Sequence, residues 1–119
     1  MPKPQFVRVR LDETALILFG DIGHEGLNLY EWAFDLVETG YKFSFSCKAD
    51  TGSFAVYMTG AKGSPNEGKT IGQWGGDISE CLSNLWLIHE EFSVRNDWET
   101  ANATISDQVK GMVAQLKQK

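Results

Sequence analysis

From Tyr41 to Lys48 apolar and polar residues alternate without a miss. Tyr41, Phe43, Phe45 and Cys47 fall on one side; Lys42, Ser44, Ser46 and Lys48 fall on the other. A period of two places these sets on opposite faces of a strand. Ala49-Asp50-Thr51-Gly52 has turn chemistry, and alternation then resumes, with Phe54, Val56 and Met58 set against Ser53, Ala55, Tyr57 and Thr59. A hairpin with one oily face does not hold alone in water, so further strands and a covering layer must come from elsewhere in the chain.

Two segments supply the cover. Asn28 is a helix N-cap with Glu31 three residues on, and Leu27 is placed to staple onto Trp32. Tyr30, Ala33, Phe34 and Val37 form a stripe at helical spacing with Leu29 and Leu36 beside it, and Gly40 ends the helix. Asp77 and Glu80 make a second capping box, followed by Ile78, Cys81, Leu82, Leu85, Trp86, Ile88, His89 and Phe92 at spacings of three and four. Lys69 to Trp74 reads as a third strand after a polar loop over 60–68. Residues 94–98 read as a connection. A last amphipathic helix runs from about Thr104 to 117 on Ile105, Val109, Met112, Val113 and Leu116, with Gly111 weakening it by about 1 kcal/mol.

At the start, Gln5 to Leu11 alternates, and 15–19 is a short apolar run, which predicts an N-terminal hairpin over 5–19. The 119 residues therefore read as one domain. The expected fold is an α+β two-layer sandwich: an antiparallel sheet of three to five strands, covered on one face by helices, with an α-β-β-β-α core over 28–92. This order resembles the topology of double-stranded-RNA-binding domains. The resemblance implies a shape and not the activity. In that family the second helix opens with lysines that span phosphates, whereas here the stretch is Gly75-Gly76-Asp77-Ile78-Ser79-Glu80.

The formal charge is −5, with −3 in residues 1–60 and −2 in 61–119, so the acidity is spread along the chain. No basic excess provides the usual footprint of nucleic-acid binding. No apolar run is long enough to span a membrane, and Met1-Pro2-Lys3-Pro4 opens no secretory leader, so a cytoplasmic location is expected. Cys47 and Cys81 form no CxxC pair and read as reduced core residues.

Candidate sites are few. His24, between Asp21 and Glu25, lacks the converging ligands that a metal needs, and His89 has no marked nucleophile beside it. Gly63-Ser64-Pro65-Asn66-Glu67-Gly68-Lys69-Thr70 matches the phosphate-loop pattern G-x-x-x-x-G-K-T. Such a loop must open a helix, and Thr70 to Trp74 reads as strand. Nucleotide binding through Gly63, Gly68, Lys69 and Thr70 is therefore the alternative, and nucleic-acid binding on the resembling shape is a further one. The leading expectation is a non-enzymatic acidic module without metal or cofactor that binds a protein with a basic surface. Tyr57, Lys62, Asn66, Glu67, Trp74 and Trp98 are its candidate contacts. Phage and mobile-element accessory proteins that inhibit a host protein are one context for such a chain, and that role requires acids clustered on one face. The last helix can pack within the chain or form a homodimer.

Overall fold

The computed structural model describes residues 5–7, 9, 11 and 28–117. The elements are β1 (Gln5–Phe6), α1 (Leu29–Glu38), β2 (Lys42–Lys48), β3 (Ser53–Thr59), β4 (Lys69–Gly75), α2 (Ile78–Trp86), a π-helical segment (Leu87–Phe92) and α3 (Trp98–Lys117). The sheet order is β1-β4-β3-β2. The hairpin forms in the register that alternation dictates, with Lys42 opposite Thr59 and Lys48 opposite Ser53, and β4 adds antiparallel to β3. The α+β architecture and the α-β-β-β-α order are as expected. The described part of the N-terminal segment differs. Gln5 and Phe6 pair parallel to Lys69 and Thr70, so the sheet is antiparallel over three strands and gains one short parallel edge. The expected second hairpin arm, the Leu27 staple and His24 lie outside the described residues.

The caps are those the sequence encodes. Asn28 Oδ1 accepts from the Tyr30 and Glu31 amides at 3.1 Å. Asp77 Oδ1 accepts from the Glu80 amide at 2.7 Å, while Glu80 Oε2 reaches back to the Gly76 amide at 3.0 Å. Each fills donors that the first turn of a helix leaves unpaired. Gly40 takes a φ of +105°, the left-handed conformation that stops α1.

Val56, Met58 and Ile71 are fully buried on the inner sheet face beneath Cys81, Leu82, Leu85 and Ile88. Burying side chains of this size contributes about 1.5–3 kcal/mol each. The cover does not reach the whole sheet. Phe43 packs edge-on against Trp32 of α1, with ring centroids 6.2 Å apart, but Phe45 is 57% exposed and Cys47 is exposed. Cys47 is thus not a core residue. Alternation gives it the inner phase, but β2 is an edge strand and the helices stop short of its far end. Cys81 is buried as expected, and burial pushes its thiol pKa up.

The last helix begins at Trp98 rather than near Thr104. Asp97 Oδ1 accepts from the Glu99 amide at 3.0 Å and acts as the cap, in a segment whose Thr and Asn residues mask the helical pattern. Trp98, Ala101 and Ile105 are buried, with Val109 and Met112 packed alongside, so α3 docks within the chain. Asn66 ties its start to the 60–68 loop. Its Nδ2 donates to the Asn96 carbonyl, and its Oδ1 accepts from the Trp98 amide at 2.9 Å. We expect Asn66→Ala to cost about 1–3 kcal/mol, since it leaves the buried Trp98 amide without its partner and unties the Asn96 carbonyl. Urea denaturation measures this, and a loss below about 0.5 kcal/mol would show that Asn66 does not hold this joint.

Candidate functional site

Tyr57 and Trp74 are brought together on the outer sheet face, with ring centroids 5.9 Å apart in an edge-to-face arrangement. Phe6 joins them at 6.5 Å from Tyr57. Gly72 makes room for this row: a Cβ there would lie 2.6 Å from the Tyr57 ring. Phe6 and Trp74 are 48% and 50% exposed. Beside them runs a groove of about 440 Å³ lined by Ser46, Lys48, Ser53, Ala55 and the two rings, among others.

The other expected contacts do not join this face. Trp98 is fully buried and its indole Nε1–H donates to His89 Nδ1 at 2.8 Å, so it offers no surface to a partner. Reading 94–98 as an open connection missed the helix that carries it inward. Asn66 is fully buried for the reason given above. Lys62 and Glu67 are exposed in the 60–68 loop, where Glu67 Oε1 accepts from the Gly63 amide at 3.2 Å.

Within the phosphate-loop match, Gly63 and Gly68 take positive φ, and Lys69 and Thr70 open β4. Lys69 Nζ lies 3.2 Å from Glu99 Oε1, and the Thr70 hydroxyl pairs with that of Thr59 at 2.9 Å. No helix N-terminus follows to hold a phosphate.

Charge is segregated in a way that net composition conceals. The strands Lys42–Lys48, Ser53–Thr59 and Lys69–Gly75 contain Lys42, Lys48 and Lys69 and no Asp or Glu. The acids among the described residues stand on the helices and in the connections. Glu31, Asp35 and Glu38 share α1 with a second exposed apolar surface, made of Tyr30, Phe34 and Val37 at 59, 64 and 48% exposure. Of the stripe expected to face the core, Tyr30, Phe34 and Val37 turn outward and Ala33 turns inward. Leu29 and Leu36, expected beside that stripe, pack inward with Ala33, and Trp32 joins them. Apolar residues wrap so far round α1 that both faces carry them, a signal the sequence did contain.

His89 is 1% exposed, in the π-helical segment, with the rings of Trp32, Tyr41 and Trp98 packed around it. Accepting from Trp98 at Nδ1 requires the neutral tautomer with its proton on Nε2. Burial lowers its pKa below the usual 6.5, and Glu90, whose Oε1 is 3.9 Å from Nε2, opposes this weakly. Among the described residues no three potential metal ligands stand together, and no helix is long and apolar enough to cross a membrane. No protein-family model, curated protein or solved structure matches the chain.

The His89 geometry fixes the sign of a pH effect. A depressed folded pKa means that the unfolded chain takes up the proton first. The contribution of His89 is whole above its unfolded value and shrinks as pH falls from there toward the lower folded value. Urea midpoints should fall below about pH 6.5, and the difference between wild type and His89→Phe should change over the same window. A pH-independent difference would show that His89 is not held neutral.

Proposed function

We propose that the protein is a non-enzymatic module that binds another protein through the outer face of α1. The observation that carries this reading is the exposed stripe Tyr30, Phe34 and Val37, flanked by Glu31, Asp35 and Glu38. Residues at i, i+4 and i+7 form one continuous ridge on a helix, the pattern by which an amphipathic helix fills an apolar groove. Carboxylates along such a ridge select a groove with a basic rim and speed the encounter. The aromatic members are of the kind that dominates binding energy when they are desolvated. The expected occupant is therefore a protein with an apolar cleft edged by Lys or Arg. An accessory protein that inhibits a host protein by filling such a cleft is one role consistent with these features.

The test is affinity capture from the native host with wild type, Phe34→Ala and a Glu31→Lys/Asp35→Lys pair. One captured species should be lost with both variants and weaken as salt rises. Against the purified partner, Phe34→Ala should cost about tenfold in affinity or more. Phe34→Ala should keep the wild-type melting temperature, because its side chain is exposed. The lysine pair should lower it slightly, since Glu31 stands in the first turn of α1, and circular dichroism checks that it is folded. Capture that neither variant alters would contradict the reading.

A further inference from the structure

We infer that the outer sheet face binds single-stranded nucleic acid, with a base stacked at Trp74 and Tyr57 and its phosphate at Lys48. The face is distinct from α1, and the inference does not depend on the proposal made for that helix.

The register builds the site. Ser46, Ala55 and Trp74 lie side by side in one cross-strand row, and Ser44, Tyr57 and Gly72 form the next. Ala55 and Ser46 are small, so the floor beside the half-exposed Trp74 indole is low, and the rings stand as a wall. The groove of about 440 Å³ is within the range of small-ligand sites and open along one side, which suits one unit of a longer chain. Every base has a flat π face, so an aromatic wall takes bases in any order. Phe6 continues the aromatic row beyond Tyr57 and offers a second place to stack.

The charges fit a polyanion. Lys48 lines the groove with the hydroxyl-bearing Ser46, Thr51 and Ser53, and Lys42 stands at the other end of the same edge strand. No carboxylate occurs in β2, β3 or β4, and Asp50 stands beyond them in the turn that follows Lys48. The charge of −5 thus arises outside these three strands. A duplex fits poorly, because its bases are stacked on one another and cannot reach Trp74. Among the described residues the cations on this face are Lys42 and Lys48, and two such contacts release few counterions. The slope of log affinity against log salt should be no steeper than about −1.4.

The experiment is fluorescence anisotropy of a labelled oligothymidylate of about a dozen nucleotides, titrated with the full chain at low salt. Saturable binding is expected, with weaker binding to the same strand annealed to its complement. Trp74→Ala should weaken binding about fivefold or more. Lys48→Glu should weaken it also and flatten the salt dependence. Both side chains are exposed, and unchanged circular dichroism and melting confirm that each variant is folded. Four results would overturn the inference: no saturable binding of the strand, undiminished affinity in Trp74→Ala, equal affinity for duplex, or binding of thymidine monophosphate without binding of the strand.

Discussion

Burial of Val56, Met58 and Ile71 under α2 and the π-helical segment is the interaction on which the rest of the structure depends. These residues hold one phase of β3 and β4, and fixing that phase inward forces the other outward. Tyr57, Trp74 and the hydroxyl side chains beside them have no inward alternative. Strands β2, β3 and β4 carry three lysines and no carboxylate, so the net acidity lies outside them. A protein of net charge −5 therefore carries a sheet face without carboxylates.

The second half of the chain is fastened by two polar contacts inside an aromatic cluster. Trp98 donates its indole proton to His89 and its backbone proton to Asn66. One residue at the start of α3 thus ties the π-helical segment, the 60–68 loop and the last helix together. The π-helical turns serve this joint. Leu85 to His89 are consecutive and all buried, which a regular α-helix lying on a sheet would not achieve. A wider turn brings the extra side chains inward and presents His89 to Trp98. Left-handed backbone at Arg95 and Asn96 then turns the chain so that the Asn96 carbonyl meets Asn66. Gly60 is part of the same joint, since a Cβ there would lie 2.0 Å from the Asn66 carbonyl oxygen.

Elements set by local rules were legible in the sequence. Alternation over 41–59 gave the hairpin and its register, and Asn28 and Asp77 announced the helix starts. Alternation also placed Tyr57 and Trp74 on one face. Features set by distant contacts were not legible. Asn66 reads as a loop residue until the start of α3 closes over it, and Trp98 reads as linker because Thr100, Asn102 and Thr104 dilute the pattern of its helix. Phe45 and Cys47 have the phase of core residues, but strand order puts β2 at the edge. The parallel pairing of Gln5 and Phe6 joins segments more than sixty residues apart, a contact that no window of local pattern contains. On α1 the apolar residues were all visible. Which of its two apolar faces turns inward is settled by Phe43 and α2, not by the helix itself.

The claim that the described helices roof one sheet face while Trp74 on the other stays exposed is tested most directly by hydroxyl-radical footprinting of the native protein read by mass spectrometry. Trp74 and Tyr57 should be modified rapidly, while Trp98 and Met58 should stay protected until the chain unfolds. Modification of Trp98 at the rate of Trp74, or protection of Trp74 in the free protein, would contradict this account.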